Sequence, residues 1–230
     1  MLRATIVGAG GLGGPIAISL GDAGFELAIA DHDHVELSNL HRQIQFTLAD
    51  LDRPKAARLA GMVVARGGTA RSIASRWTAH TADELGADAD VVIDASDDPA
   101  TKFSVADWAV ANGRCYVIAA ALRYGGNVMV GAPGAACYRC LFEEPVDAPS
   151  CADAGVMGPT VGAIGGIAAA VALTLARGDR TLAGAILVFE DLRRTTDPRI
   201  VRFAPRLGCP ACTRATISPI ASPLRFAEVH

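Results

Sequence analysis

The stretch IVGAGGLGGP, residues 6–15, decides the fold that the sequence predicts. An apolar run passes into glycines that fit the pattern Gly-x-Gly-x-x-Gly at Gly8, Gly10 and Gly13, with Gly11 beside them. Such glycines let a strand turn tightly into a helix whose free N–H groups face a phosphate. Taken alone, the pattern favours a nicotinamide or flavin dinucleotide, which is a common ligand of this turn.

Length and composition indicate one globular domain. The chain has 230 residues, of which 51% are apolar and 20% charged, so it can bury a sizeable core. A net charge of −3 supplies no field that would attract nucleic acid or an anionic membrane. The first apolar run begins within the first few residues, so we expect no signal peptide and a cytoplasmic location.

Strand and helix patterns alternate along the chain. The apolar runs predict strands at 4–8, 26–30, 91–95, 116–121 and 185–191, separated by helices that include 12–24, 54–66 and 100–112. Residues 123–133, around GGNVMV, alternate in the manner of an antiparallel strand. We therefore expect a Rossmann-like α/β fold, with a mainly parallel, doubly wound sheet and an antiparallel extension.

One stretch is long and apolar enough to cross a bilayer. Residues 154–176 carry no charged side chain. Gly158-Pro159 interrupts the run early, however, and most of the later residues are Ala or Gly. Small residues suit a helix packed closely inside a protein, so we expect a buried helix and no membrane association.

An acidic residue follows the second predicted strand. Asp31 lies where a carboxylate binds the ribose hydroxyls of a nucleotide in folds of this kind. The alternative is that Asp31 only caps the end of its strand. If it binds ribose, NAD and ATP would fit equally well up to this point.

The residues that follow favour a nucleoside triphosphate. Two segments after the glycine turn, VELSNLHRQ and DRPKAARLA, carry amide and basic side chains at Asn39, Arg42 and Lys55. A third segment, VVIDASDDPATK, ends a predicted strand with the carboxylates of Asp94, Asp97 and Asp98. Triphosphate cleavage needs carboxylates for Mg²⁺ and cations that offset charge on phosphate. Hydride transfer has little use for either. Singly, these residues could be surface charges, and Asp97-Asp98 a helix N-cap.

Four of the six cysteines form two C-x-x-C pairs, Cys137 with Cys140 and Cys209 with Cys212. In a chain without an export signal, four thiolates predict a closed, tetrahedral Zn²⁺ site that pins the C-terminal part of the chain to the domain. Disulfides and a redox dithiol are the alternatives. Of the remaining two, we interpret Cys115 as a small core residue, and Cys151, in APSCADAG, as either a nucleophile or an inert thiol.

These motifs occur in an order that resembles the ThiF/MoeB/HesA family, the bacterial relatives of ubiquitin-activating enzymes. The match runs from about residue 6 to 212 through the glycine turn, DHDHVELSNLHRQIQF, DRPKA, DASDD, CYRCLF, SCADAGVMGPTVG and CPAC. The resemblance implies a homodimeric, Rossmann-like adenylation domain at 1–212 with a four-cysteine zinc site, followed by a Ser/Pro-containing tail at 213–230. It also implies Mg·ATP-dependent adenylation of the C-terminal glycine of a small ubiquitin-fold sulfur carrier, with release of pyrophosphate.

The resemblance also implies roles for individual residues. Gly10 corresponds to the family's turn glycine, Asp31 to its ribose ligand, Arg42 and Lys55 to cations at the ATP phosphates, and Asp97 to the aspartate that holds Mg²⁺. The matching cysteine, here Cys151, forms a covalent link with the carrier or passes sulfur in several members and is dispensable in others. The expected nucleotide-binding residues are Gly8, Gly10, Gly11, Gly13, Asp31, Ser38, Asn39, Arg42, Lys55, Asp97 and Asp98.

The sequence departs from the family pattern in two places. Members usually begin with a helix bearing an RYxRQ-like stretch, whose arginine reaches the partner subunit's ATP site, and the printed sequence begins at its first strand. Another arginine in its place, weakened catalysis and an upstream start all remain open. The usual Asp-Asn is Asp97-Asp98 here. A catalytically weakened binding homologue and an NAD(P)-dependent oxidoreductase remain the alternative functions. No rhodanese-like pattern follows Cys212 in the printed sequence, so we expect either that the sulfur donor is a separate protein or that the product is left as the acyl-adenylate.

Overall fold

A computed structural model of the protein describes residues 1–145 and 155–212. In this part of the chain a single sheet has the strand order β3-β2-β1-β4-β5-β6-β7-β8. The strands are β1 (Arg3–Val7), β2 (Glu26–Ala30), β3 (Thr69–Ile73), β4 (Val91–Asp94), β5 (Cys115–Leu122), β6 (Gly125–Gly131), β7 (Ala185–Phe189) and β8 (Arg199–Arg202).

Helices connect the parallel strands and cover the sheet. They are α1 (Gly13–Asp22), α2 (Lys55–Ala65), α3 (Ala82–Gly86), α4 (Pro99–Ala111), α5 (Tyr138–Leu141) and α6 (Gly158–Ala176). Short 3-10 turns at Leu37–Asn39 and Leu48–Asp50 lie between β2 and α2. Strands β1 to β5 pair in parallel, and β5 to β8 pair antiparallel. The mainly parallel α/β sheet with an antiparallel extension is therefore confirmed.

The register of the parallel strands creates one polar edge. Val7 at the end of β1 pairs with Ala30 of β2 on one side and with Asp94 of β4 on the other. The segments that follow these three strands are the glycine turn, the stretch beginning at Asp31 and the loop 95–98. Ligands of doubly wound sheets bind outside the carboxyl ends of the strands, and this edge is such a place.

The long apolar segment forms α6, which packs on α1 and on the sheet. A Cβ atom on Gly165 would lie 3.0 Å from the Leu12 carbonyl oxygen and 3.1 Å from the Pro15 ring, so the small residue permits the close approach of the two helices. By length and hydropathy α6 is the one helix among the described residues that could span a membrane. Half of its most apolar window is buried inside the protein, as expected for a packed helix.

The structure adds elements that the sequence patterns did not predict. β3 and β8 are outer strands with mostly exposed or half-buried side chains, so neither carries an apolar run. α3 is only five residues long. The strand predicted at 26–30 has those bounds, and most of the other predicted elements are present with ends shifted by one or more residues; the helix expected at 12–24, for example, is Gly13–Asp22. The tail 213–230 lies outside the described residues.

Candidate functional site

The glycine turn is packed so tightly that two of its positions exclude any side chain. Gly8 has a φ of +98°, and a Cβ there would lie 3.0 Å from the carbonyl carbon and oxygen of Ala95. A Cβ on Gly13 would collide with the carbonyl oxygen of Gly8. Gly13 therefore closes the turn by packing, and it does not line the adjoining cavity.

The turn presents free donors and is held by a side chain that the motifs did not reveal. The N–H groups of Gly10, Gly11 and Leu12 donate to no atom of residues 1–145 or 155–212. The buried Gln45 amide donates to the carbonyl oxygens of Ala9 at 3.1 Å and Gly10 at 2.9 Å. The turn is thus fixed from behind while its N–H groups remain available to an anion.

A cavity of about 830 Å³ lies at this edge of the sheet. It brings together most of the expected nucleotide-binding residues, namely Gly8, Gly10, Gly11, Asp31, Asn39, Arg42, Lys55, Asp97 and Asp98. Ser38 is exposed and does not line it; its hydroxyl donates to Glu36 at 3.3 Å. The cavity continues past the turn to the β5–β6 side, where Leu122 and Asn127 contribute to its wall.

Asp31 is held by backbone donors. One carboxylate oxygen accepts the Ala9 N–H at 2.7 Å and the other accepts the Asp33 N–H at 2.8 Å. These bonds join the end of β2 to the glycine turn. Each carboxylate oxygen can accept a second hydrogen bond, so Asp31 serves as a strand-end cap and can still accept hydroxyl donors from the cavity.

Two cations lie near the glycine turn with few partners. The Arg42 guanidinium donates to Asn39 Oδ1 at 2.7 Å, which leaves most of its donors free. The Lys55 ammonium is buried and makes one loose contact with Asp33, at 3.3 Å. Both groups border the cavity and can meet phosphate oxygens.

The two adjacent aspartates have different surroundings. Asp98 is the N-cap of α4: its carboxylate accepts the N–H groups of Ala100 at 3.2 Å and Thr101 at 3.0 Å. Burial disfavours the Asp98 carboxylate, but the hydrogen bonds from Thr101 and Ala100 outweigh it and lower its pKa. Asp97 is exposed, and its carboxylate bonds no other described residue. The cap interpretation thus holds for Asp98, and Asp97 is the carboxylate free to bind a cation.

The sequence pattern predicts that Asp94 joins these carboxylates, and this prediction is wrong. Its side chain is fully buried, does not line the cavity, and accepts the ammonium of Lys102 at 2.6 Å. Burial raises the pKa of Asp94, whereas Lys102 and Ser96 oppose that rise. Lys102 was not identified from sequence. The only signal was a lysine placed one turn into the helix that follows an aspartate-bearing loop.

The four expected metal-ligating cysteines come together. The Sγ atoms of Cys137 and Cys140 are 3.7 Å apart, those of Cys137 and Cys209 are 3.6 Å apart, and those of Cys140 and Cys212 are 3.6 Å apart. A tetrahedron with Zn–S bonds of about 2.3 Å has sulfur–sulfur edges of about 3.8 Å, whereas a disulfide bond is about 2.05 Å long. The donor set and its spacing therefore fit a four-coordinate metal.

Burial and backbone hydrogen bonds shift the pKa values of the thiols in this cluster. Burial raises the pKa of Cys137, and burial raises that of Cys212 to about 11. Burial also acts on Cys209, but hydrogen bonds from the N–H groups of Cys212 and Ala211 outweigh it and lower its pKa to about 7. Low-pKa thiols bind metals readily, because the thiolate is the ligand.

The other two cysteines are Cys115 and Cys151. Cys115 is buried at the start of β5, where burial raises its pKa, in agreement with a core residue. Cys151 lies within 146–154, outside the described residues.

Comparison with known proteins gives a consistent result. The model of the ThiF family matches residues 1–211. The sulfur carrier protein ThiS adenylyltransferase of Escherichia coli is 37% identical over 223 residues, covering 94% of this chain and 87% of its own. The sulfur carrier protein adenylyltransferase of Thermus thermophilus is 38% identical over 221 residues, covering 90% and 80%.

Longer relatives and more distant structures also match. The adenylyltransferase and sulfurtransferase MOCS3 of Dictyostelium discoideum is 32% identical over 234 residues, which cover 97% of this chain and 55% of that protein. A crystal structure of Escherichia coli MccB superimposes with a TM-score of 0.77 at 18% identity, covering 92% of this chain and 66% of MccB. At that identity the likeness establishes the fold alone.

Proposed function

Because the chain belongs to the ThiF family, we propose that it is an ATP-dependent adenylyltransferase. Its substrate is the C-terminal glycine carboxylate of a small ubiquitin-fold sulfur-carrier protein, and its products are the carrier acyl-adenylate and pyrophosphate. The observation that carries this proposal is the single cavity that joins free N–H donors, two cations and a free carboxylate. A reaction that moves a nucleotidyl group needs this combination of groups.

The cavity suggests a division of labour along its length. The N–H groups of Gly10 and Gly11 receive ATP phosphates, and the Asp31 carboxylate accepts the ribose hydroxyls. Gly8 and Gly13 keep the turn compact, Asn39 orients Arg42, and Ser38 with Asp98 support the neighbouring loops. The part of the cavity near Leu122 and Asn127 offers an approach for a narrow, extended peptide terminus.

The chemistry follows from these positions. The carrier's terminal carboxylate oxygen attacks the α-phosphorus of ATP; a P–O bond forms to the carrier, and the bond from the α-phosphorus to the oxygen that bridges it to the β-phosphorus breaks. Pyrophosphate departs with that electron pair. Arg42 and Lys55 stabilise the negative charge that grows on the phosphate oxygens in the transition state. No side-chain proton has to be removed, since the nucleophile is already ionised at neutral pH.

Two metals belong to this proposal. Asp97 is suited to be a ligand of Mg²⁺, because its carboxylate lines the cavity and has no partner among the described residues. Asp97 would hold Mg²⁺ there, and the bound ion would supply positive charge that offsets the charge of the phosphates. Zn²⁺ fits Cys137, Cys140, Cys209 and Cys212 by donor type and spacing, in a structural role. Residues 1–212 would then form one adenylation domain pinned by this site, with 213–230 as a tail.

Further partners are inferred from the family and from exposed side chains. We expect a homodimer. Apolar area for its interface is offered by three exposed side chains near the cavity-lining residues Asn39 and Arg42; these are Leu37 (65% exposed), Ile44 (73%) and Leu48 (68%). We also expect a separate sulfur donor and a cytoplasmic location, and Cys151 is the candidate residue for a covalent link to the carrier or for sulfur transfer. Replacing Cys151 with Ser tests the last point, because undiminished sulfur transfer would remove it from the mechanism.

ATP–pyrophosphate exchange with a carrier ending in Gly-Gly tests the proposed function. Exchange that requires both ATP and the carrier is the expected result. A carrier lacking its last glycine is the matched control and should not support exchange. NAD(P)-linked turnover would indicate the oxidoreductase alternative, and binding of ATP and carrier without exchange would indicate the weakened homologue.

A further inference from the structure

Lys102 lines the cavity, but its ammonium is already saturated with hydrogen bonds. It donates to Asp94 Oδ2 at 2.6 Å, to the Ser96 carbonyl oxygen at 2.7 Å and to the Ala119 carbonyl oxygen at 2.9 Å. A lysine ammonium has three N–H donors. Lys102 therefore has none to offer a phosphate, in contrast to Lys55, which makes one contact of 3.3 Å.

The three acceptors of Lys102 belong to different parts of the fold. Asp94 ends β4, Ala119 lies in the middle of β5, and Ser96 belongs to the loop 95–98 between β4 and α4. The Ser96 hydroxyl also donates to Asp94, at 2.6 Å. Lys102 therefore fastens the first part of this loop to the two central strands.

The second part of the same loop is fastened independently. Asp98 accepts the Thr101 N–H at 3.0 Å and the Thr101 hydroxyl at 2.6 Å. Asp97 lies between the two anchors and bonds no other described residue. Its position is therefore set by its neighbours in the chain and by their anchors.

The loop also touches the glycine turn. The Ala95 carbonyl group and the Ser96 N–H approach Gly8 so closely that a Cβ on Gly8 would lie 3.0–3.1 Å from them. A shift of Ser96 would thus move both the carboxylate of Asp97 and the surface against which the turn packs. Positioning within fractions of an ångström matters for such sites, because a catalytic group acts only in the productive geometry.

We propose that Lys102 is a positioning residue for the adenylation reaction, which holds the loop 95–98 so that Asp97 meets the metal and phosphates beside the glycine turn. This inference rests on the proposed role of Asp97 as a magnesium ligand. Lys102 acts through the Ser96 carbonyl and does not contact the substrate.

A double-mutant cycle in ATP–pyrophosphate exchange tests this role. Lys102→Met alone leaves Asp94 buried without its cation, so the informative variant is Asp94→Asn/Lys102→Met, which removes both buried charges. We expect a loss of about 10- to 100-fold in exchange per folded molecule, and a higher Mg²⁺ concentration for half-maximal rate. Lys102→Arg, made with Asp94 intact, keeps the positive charge and several donors. Its exchange rate and its Mg²⁺ requirement should therefore lie between those of the unaltered chain and those of Asp94→Asn/Lys102→Met.

The Asp97→Ala background separates positioning from a structural role. There, Asp94→Asn/Lys102→Met should cause no further loss of exchange, because the group that it positions is absent. An equal loss of exchange in the chain that keeps Asp97 and in Asp97→Ala would overturn the proposal. So would a Mg²⁺ requirement that Asp94→Asn/Lys102→Met leaves unchanged in the chain that keeps Asp97. If the unaltered chain gives no exchange, the adenylation proposal fails; calorimetric binding of ATP over a Mg²⁺ series still tests Lys102, and an unchanged Mg²⁺ dependence in the charge-free variant would refute its role.

Discussion

The nucleotide end of the cavity and the cysteine cluster differ in what their polar atoms face. At the cavity, the N–H groups of Gly10 and Gly11 and the carboxylate of Asp97 have no partner among the described residues. At the cluster, four sulfur atoms face one another within 4.8 Å, and Cys209 is fully buried. The first arrangement can receive and release a ligand, whereas the second can only enclose one. This difference distinguishes a candidate catalytic site from a candidate structural metal site, and substitutions at the two should therefore have different effects.

The largest effect is expected at the cavity. Arg42→Ala should lower carrier-dependent ATP–pyrophosphate exchange about 100- to 1000-fold, because a preorganised donor to the developing phosphate charge is lost. The melting temperature should change little, since the Arg42 side chain makes one short hydrogen bond, to Asn39 at 2.7 Å, and one long contact, with His41 at 3.5 Å. Arg71→Ala is the matched control: Arg71 is exposed on β3 and does not line the cavity. Equal losses in the two variants would contradict the assignment.

At the cysteine cluster the pattern should reverse. Cys140→Ser should abolish stoichiometric zinc, measured by metal analysis, and lower the melting temperature by several degrees, since a structural metal contributes folding free energy. Cys115→Ala is the control, because Cys115 is buried in the core outside the cluster, and it should retain zinc. Full zinc content in Cys140→Ser would show that the cluster does not bind the metal through four thiolates.

A smaller effect on stability is expected at the glycine turn. Gly13→Ala should destabilise the protein by about 1–3 kcal/mol and weaken ATP binding, because its Cβ collides with the Gly8 carbonyl. In Gly162→Ala the new Cβ meets no atom within 4 Å, and the change should be neutral or stabilising by up to about 1 kcal/mol. Thermal unfolding with and without ATP distinguishes the two. Identical behaviour would mean that the turn tolerates a side chain.

The smallest effect is expected at Asp98. Asp98→Asn should change exchange by less than about threefold, because asparagine caps a helix about as well as aspartate. Asp98→Ala should cost about 1 kcal/mol of unfolding free energy through loss of the cap to Ala100 and Thr101. A large gain of exchange in Asp98→Asn would instead show that the carboxylate repels the phosphates.

Those parts of the fold that follow from local sequence patterns could be predicted from the sequence. The glycine turn and the alternation of apolar runs led to the parallel half of the sheet, and GGNVMV led to the antiparallel strand β6. It did not predict β3 or β8, because outer strands with mixed side chains such as TARSI and RIVR show neither an apolar run nor clean alternation.

The same limit applies to the candidate site. Motifs located Asp31, which follows the end of β2, Lys55, which begins α2, and Arg42, which lies in the SNLHR segment between them. They did not separate Asp94 from Asp97, because the pairing of Asp94 with Lys102 depends on a lysine eight residues away that is itself held by Ala119 of β5, seventeen residues beyond it. Gln45 was also missed, since its bonds to the glycine turn span 35 and 36 residues. Contacts of this range are set by tertiary packing.

Transfer of label from α-³²P-ATP to a carrier ending in Gly-Gly tests the central claim most directly. The account predicts that the chain, with Mg²⁺, forms a carrier-bound adenylate that is hydroxylamine-sensitive and is lost when the carrier's last glycine is deleted. Arg42→Ala should form it far more slowly. A chain that binds ATP and the carrier but leaves the carrier unlabelled would contradict the account.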